Sequence, residues 1–118
     1  MSESNDEPLL MDMLEACRAV TSYVKGLGQD EFLNNNLVQD AVAYRLQVIG
    51  EAAYKVSQET KNAELSIDWF KIAGLRHRIV HDYRNIDLET LWRITQKYVP
   101  PLSMRLEQIA REHGWEHS

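Results

Sequence analysis

Three observations on the sequence predict an all-α fold, namely an antiparallel four- to five-helix up-down bundle. First, only three prolines and five glycines occur in 118 residues, so few positions interrupt a helix. Second, apolar residues recur at three- and four-residue spacing over long stretches. Third, the breaks between these stretches carry glycine, proline or helix-capping residues. The length predicts a single domain, with flexible tails at about residues 1–7 and 113–118.

The composition is that of an ordinary globular domain. Hydrophobic residues make up 44% and charged residues 26% of the chain, which argues against wholesale disorder. No apolar run approaches the roughly 18 residues that cross a bilayer, and the acidic start MSESNDEPLL lacks the basic region of a signal peptide. Cys17 is the single cysteine and is expected to fill the core. We therefore expect a soluble, cytoplasmic protein without a membrane partner.

Two helices are predicted in the first half of the chain. The first covers about residues 8–25 and is followed by Gly26 and Gly28, which end it. The second covers about residues 36–59. Gly50 lies in the middle of its apolar stripe, where a glycine costs about 1 kcal/mol relative to alanine. We expect the close approach of another helix at Gly50 to compensate for this cost.

The third helix follows the polar connection TKNAELS. Ser66 or Asp68 can cap its start, and its apolar spacing continues to His81. Two aromatic residues, Trp69 and Phe70, occupy its first turn. We expect both of them in the core rather than on the surface as stacking platforms for nucleobases.

The fourth helix follows a turn predicted at residues 82–86, and Asp87 caps it. Pro100 and Pro101 each lack a backbone donor, so a kink or a restart is expected there. The inner apolar stripe before the prolines comprises Leu88, Leu91, Trp92, Thr95, Tyr98 and Val99.

Positive charge is concentrated in and just after the third helix. The net charge of −5 argues against a broad, nonspecific nucleic-acid surface, but it does not exclude a local site. Such a site can cleave a phosphodiester without a metal, because a histidine moves a proton while an arginine holds the phosphate. A tyrosine can position the substrate or stack on a base. The segment contains Lys71, Arg76, His77, Arg78, His81, Tyr83 and Arg84, with Asp82 as its one acid.

Helical phase separates the two residues best suited to this chemistry. At about 100° per residue, Arg76 and Tyr83 fall on the apolar side, whereas His81 lies about 140° from Arg76. One straight helix therefore cannot easily direct Arg76 and His81 to one phosphate. Either the helix ends or bends before His81, or a two-fold dimer combines the motifs of two chains.

Two other interpretations of this segment stay open from the residues alone. It can be the solvated basic face of an ordinary helix, since an arginine and a histidine five residues apart are common. His77 and His81 have the spacing of helical metal ligands, but no acidic or cysteine ligand is placed to complete a site. We therefore predict no metal and no cofactor.

The chain resembles the HepT-like toxin branch of the HEPN superfamily over about residues 40–106. AVAYRLQVIGEAAYKVS, residues 41–57, is similar to the long helix of that branch, with its characteristic IGEAA core. IDWFKIAGLRHRIVHDYRNIDLETLW, residues 67–92, is similar to the motif helix and the start of the next. Arg76, His81 and Tyr83 match the branch's R-x4-H-x-Y signature in order and spacing.

The resemblance implies a metal-independent endoribonuclease that dimerises so that two R-x4-H motifs line one cleft. Arg76 would bind and stabilise the phosphate, and His81 would act as the general acid or base. Lys71, His77 and Arg78 would supplement RNA binding.

The resemblance also implies a biological role and a protein partner. The chain would be the toxin of a type II/VII-like toxin–antitoxin pair, and its antitoxin a small MNT-type nucleotidyltransferase. That partner would inactivate the toxin by adenylylation of Tyr83. The alternative is a non-catalytic HEPN module that binds nucleotide or RNA, or that serves only as a helical partner of a nucleotidyltransferase.

Overall fold

The computed structural model describes the backbone of residues 5–82 and 87–115, together with the side chains of all of these except residues 80–82. All regular secondary structure in these two ranges is helical, as the sequence predicts. The elements are α1 (Glu7–Val24), α2 (Gln29–Leu33), α3 (Asn36–Lys55), α4 (Gln58–Ala63), α5 (Trp69–Asp82), α6 (Leu88–Arg93), a π-helical segment (Ile94–Tyr98) and α7 (Val99–Glu112). Asp82, predicted as the first residue of a turn over residues 82–86, is instead the last residue of α5. Residues 83–86, the rest of the predicted turn, lie outside the described ranges.

α1 and α3 are antiparallel neighbours, with a polar contact near each end. Asp6, just before α1, accepts hydrogen bonds from the backbone N–H and the hydroxyl of Ser57, just after α3, at 3.1 and 2.6 Å. At the opposite end, Arg45 of α3 donates to the hydroxyl of Tyr23 at 3.2 Å. Asp6 is buried, so the chain is anchored here, within the range predicted as a loose N-terminal tail.

The last described residues make local contacts with one another and with the end of α7. The backbone N–H of Trp115 donates to the carbonyl of Ala110 at 2.8 Å, and the Trp115 ring stacks on His113 with 4.7 Å between centroids. These contacts lie within the range predicted as a flexible tail. Residues 116–118 are outside the described chain.

The second predicted helix is divided into two. α3 ends at Lys55 because Val56 has extended backbone angles, and the Ser57 hydroxyl then accepts a hydrogen bond from the Thr60 N–H to cap α4. The cap at Ser57, two residues before the predicted end at about residue 59, was not recognised in the sequence. The short helix α2 was not predicted either.

Side-chain caps begin the later helices at the predicted positions. Of the two candidate caps of α5, Asp68 is used, since its carboxylate accepts a hydrogen bond from the Lys71 N–H at 3.0 Å. The Asp87 carboxylate accepts from the Glu89 N–H at 3.1 Å at the start of α6. These bonds satisfy backbone donors that have no partner within the helix.

The predicted interruption at the two prolines is confirmed as a restart. The Val99 N–H donates to the carbonyl of Ile94, which closes a π turn, and α7 begins with Pro100 and Pro101 in its first turn. Proline is tolerated there because first-turn donors have no intrahelical acceptor. The wider π turn also shifts the helical phase. Tyr98 is therefore 48% exposed although it was predicted on the inner stripe, whereas Val99 is buried as predicted.

The core lies between α1, α3 and α7, and it is closed at one end by α2 and α6. Cys17 is fully buried there, as predicted, and burial raises the pKa of its thiol to about 12 because the thiolate would lose its hydration. No helix in the described ranges is both long and apolar enough to span a membrane. The largest fully buried side chains are Phe32, Met13, Leu14, Leu46, Ile49, Leu91 and Leu106.

Candidate functional site

The candidate site is built on the contact between α3 and α5, which Gly50 makes possible. A Cβ added to Gly50 would lie 2.6 Å from the backbone nitrogen and 3.1 Å from the Cα of Arg76. Only a residue without a side chain allows two helix backbones to approach this closely. The close helix approach predicted at Gly50 is therefore confirmed, and the residue it meets is Arg76.

The Arg76 side chain extends along the edge of this contact to the solvent. Its Nη1 lies 3.7 Å from an Oε of Glu51, and its guanidinium carbon lies 4.8 Å from the centre of the Tyr54 ring. The Arg76 side chain is 39% exposed, although its Nε is buried without a hydrogen-bond partner in the described structure. Arg76 was predicted to face the core. This holds for its side chain up to Nε, whereas the guanidinium reaches the surface.

α5 remains helical past Arg76, through His81 and Asp82. A helix end before His81 is thus excluded as an explanation for the difference in phase between Arg76 and His81, which leaves a bend in the helix or a two-fold dimer. The side chain of His81 lies outside the described part, as do Tyr83 and Arg84 entirely. Their predicted roles stay predictions.

A large groove runs along another side of α5, between α5, the π segment and α7. Its volume is about 890 Å³. It exists because α5 packs chiefly against α3 and leaves the side toward α7 open. Phe70, which was predicted in the core, lines this groove and is 91% exposed, whereas Trp69 is buried as predicted. Two residues in the first turn of one helix thus face opposite environments, and spacing alone did not show which one is covered.

All three residues predicted to supplement RNA binding, Lys71, His77 and Arg78, line the groove, whereas Arg76 does not. The Lys71 ammonium lies 4.4 Å from the centre of the Tyr98 ring, within the range of a cation–π contact. Among the predicted site residues whose side chains are described, Arg76 therefore lies on one side of α5, and Lys71, His77 and Arg78 lie on another.

Cationic side chains outnumber carboxylates among the described residues that line the groove, although the protein has a net charge of −5. Asp68 is the one carboxylate among the described groove residues, and it caps α5. Glu64 binds Arg105 at 2.7 Å, and this hydrogen bond raises the pKa of the Arg105 guanidinium above its usual value. The cationic groove residues in the described ranges are Lys71, Arg78, Arg93 and Arg105.

Residues that sequence reasoning missed complete both groups. Glu51 and Tyr54 contact the Arg76 head from α3, and Tyr98 borders the groove from the π segment. The sequence did contain a signal for Glu51 and Tyr54. Both lie within one turn of Gly50, the position at which a close approach of another helix was predicted. Within the described residues, no group of three or more His, Cys, Asp or Glu side chains could hold a metal ion.

Comparisons with known proteins agree on one family. Residues 13–109 match the family model described as "Ribonuclease HepT-like". The "Putative RNase MJ1380" of Methanocaldococcus jannaschii is 31% identical over 109 residues, which cover 92% of this chain and 100% of that protein. The "Probable ribonuclease HepT" of Thermococcus cleftensis is 26% identical over 102 residues, which cover 86% of this chain and 93% of that protein. No solved structure gives a significant match.

Proposed function

Because the chain belongs to the HepT-like ribonuclease family, we propose that it is a metal-independent endoribonuclease and the toxin of a type II/VII-like toxin–antitoxin pair. The observation that carries this proposal is the placement of Arg76. Its backbone is fixed against Gly50, and its half-exposed guanidinium extends past Glu51 and Tyr54 toward solvent. A permanently charged group with planar, paired donors on a rigid contact suits the binding of an RNA phosphate.

In the proposed reaction, the 2′-oxygen of the ribose forms a bond to phosphorus while the bond from phosphorus to the 5′-oxygen breaks. His81 takes the proton from the 2′-hydroxyl or gives a proton to the departing 5′-oxygen, and a water molecule takes part in the other of these two proton transfers. Arg76 stabilises the negative charge that increases on the phosphate oxygens in the transition state. These roles require no metal ion.

We propose that the cleft forms between two copies of the chain. α5 is continuous through Asp82, so a helix end before His81 does not resolve the 140° difference in phase from Arg76. A second copy related by a two-fold axis would supply the missing partner residue to each Arg76. Phe70 and Met104 are exposed apolar side chains of the groove, on another side of α5 from Arg76. Because clustered apolar surface of this kind marks interaction sites, we propose the groove as the surface on which the second copy packs.

An RNA cleavage assay tests the nuclease proposal. We expect the purified chain to cleave single-stranded RNA in the presence of EDTA, and we expect Arg76→Ala and His81→Ala each to lower the rate by about a hundredfold or more. Arg18→Ala is the matched control, because Arg18 is a surface arginine that also pairs with a glutamate, at 3.2 Å from Glu107.

RNA cleavage by both variants at the wild-type rate would reject the mechanism. RNA binding without cleavage by the wild-type chain would instead support the non-catalytic module. The excess of cationic side chains in the groove favours such binding even without chemistry.

We also propose that a partner nucleotidyltransferase inactivates the chain by transferring AMP from ATP to the hydroxyl of Tyr83. The tyrosine oxygen bonds to the α-phosphorus of ATP, pyrophosphate leaves, and the hydroxyl proton is released. Tyr83 is two residues after His81 in the sequence. The added phosphate would repel RNA, and the added nucleoside would occupy space in the cleft.

Mass spectrometry after co-expression with the partner tests this modification. We expect the wild-type chain to gain the mass of AMP and Tyr83→Phe to gain nothing. Tyr98→Phe is the control, since it removes the hydroxyl of another exposed tyrosine. AMP addition to Tyr83→Phe would show that Tyr83 is not the only target.

A further inference from the structure

We propose that Glu51 and Tyr54 of α3 are positioning residues that orient the guanidinium of Arg76 toward the RNA phosphate. This inference rests on the proposed ribonuclease function and extends it to two residues outside the R-x4-H-x-Y signature. Neither residue would contact the reacting atoms in this scheme. Both would act on the reaction through Arg76.

The first argument is the local geometry of α3. Gly50 brings the α5 backbone into contact at Arg76, Glu51 is the next residue, and Tyr54 follows three residues later on the same side of the helix. One turn of α3 therefore contacts the backbone and the charged head of the same arginine. The carboxylate lies 3.7 Å from Nη1, and the ring centre lies 4.8 Å from Cζ.

The second argument is that these contacts contribute little to stability. The side chains of Arg76 and Glu51 are each 39% exposed, so water screens the pair, and the Tyr54 ring is itself 62% exposed. The Nε of Arg76 has no hydrogen-bond partner in the described structure. The direction of the guanidinium is thus set from α3 by one carboxylate and one ring face rather than by a network of hydrogen bonds.

The third argument is that the contact leaves the arginine free to bind an anion. A separation of 3.7 Å is longer than the 2.7–2.9 Å that is typical of a charge-assisted hydrogen bond. The terminal nitrogens therefore keep donors for a phosphate while the carboxylate limits the rotation of the head. A group held in the reactive geometry before the substrate binds lowers the barrier by reducing reorganisation.

Steady-state cleavage kinetics test the proposal with matched controls. We expect Glu51→Gln and Tyr54→Leu each to lower kcat by about tenfold, with KM unchanged or lower because Glu51→Gln also removes a negative charge near the RNA. Glu51→Asp should recover part of the lost kcat.

Two controls remove the same groups elsewhere. Glu112→Gln removes a carboxylate that lies 3.6 Å from Arg105, and Tyr44→Leu removes an α3 tyrosine that is 60% exposed and lies under Arg45 at 5.7 Å. We expect both controls to keep the wild-type kcat. All five variants should unfold at the wild-type temperature within a few degrees, since the contacts they change are exposed to solvent.

A second measurement does not depend on activity. In an NMR spectrum that resolves arginine Nε–Hε groups, loss of the Tyr54 ring should shift the Arg76 signal, whereas Tyr44→Leu should leave it in place. An unshifted Arg76 signal in Tyr54→Leu, or an unchanged kcat in Glu51→Gln and Tyr54→Leu, would overturn the proposal. A lower KM with unchanged kcat in Glu51→Gln would also overturn it, because Glu51 would then only repel RNA.

The outcomes separate this proposal from the one on which it rests. If the wild-type chain does not cleave RNA, or if cleavage does not depend on Arg76 and His81, the ribonuclease mechanism fails and the kinetic role fails with it. If cleavage depends on Arg76 and His81 but not on Glu51 or Tyr54, only the positioning role fails.

Discussion

The two sides of α5 differ in how closely the rest of the protein approaches them. On the side toward α3, the backbone at Arg76 meets Gly50 with no space for a Cβ. On the side toward the groove, a Cβ added to Gly74 would meet nothing within 4 Å, and Phe70 is almost fully exposed. One helix thus combines a side that is fixed by backbone contact with a side that is available for binding. The proposed function needs both, since a phosphate-binding arginine must be rigid and a partner or substrate must have access.

The largest expected effect comes from filling the close contact on the α3 side. Gly50→Ala places a Cβ 2.6 Å from the Arg76 nitrogen, so α3 and α5 must separate although alanine is the better helix former. We expect the free energy of unfolding to fall by about 3 kcal/mol, as for a severe overpacking substitution, together with loss of RNA cleavage. Urea denaturation measures the change. A variant as stable as the wild type would contradict the close contact.

The second-largest effect is expected from a substitution that tests whether a second copy of the chain covers the groove. Phe70→Glu places a charge on the exposed apolar surface of the groove, and we expect the dissociation constant of the dimer to rise about tenfold or more. Leu37→Glu is the control, because Leu37 is 79% exposed on α3 and does not line the groove. Sedimentation velocity over a concentration series measures both. If the wild-type chain is a monomer at micromolar concentration, the two-chain cleft is rejected.

The smallest effect is a gain in stability on the groove side. Gly74→Ala should stabilise the folded chain by about 0.5–1 kcal/mol, because alanine lowers the conformational entropy of the unfolded state and meets no neighbour. Thermal denaturation at a concentration where the chain is monomeric measures this gain. Opposite signs for Gly50→Ala and Gly74→Ala would confirm the difference between the two sides, and a loss of stability in both variants would contradict it.

Several local features were predictable because their causes lie within a few residues. Asp68 and Asp87 cap helices at the predicted positions, since a carboxylate there reaches a backbone N–H two or three residues further along the chain. The prolines restart the last helix as expected. Gly50 indicated a close helix contact because a mid-helix glycine needs compensation. Phe70 was placed wrongly, since an apolar residue near the edge of a helical stripe can be covered or exposed.

The sequence by itself determined the all-α class, the main helices, the need for a close contact at Gly50 and the concentration of basic residues in α5. Local backbone preference and helical periodicity are properties of short segments, so they can be read without a structure. Only the tertiary structure decided that α5 approaches Gly50 at Arg76, that Glu51 and Tyr54 flank its guanidinium, and that the side toward α7 stays open. These relations join segments far apart in the chain. These contacts depend on how the two helices are rotated relative to each other. The spacing of apolar residues within one helix does not determine that rotation.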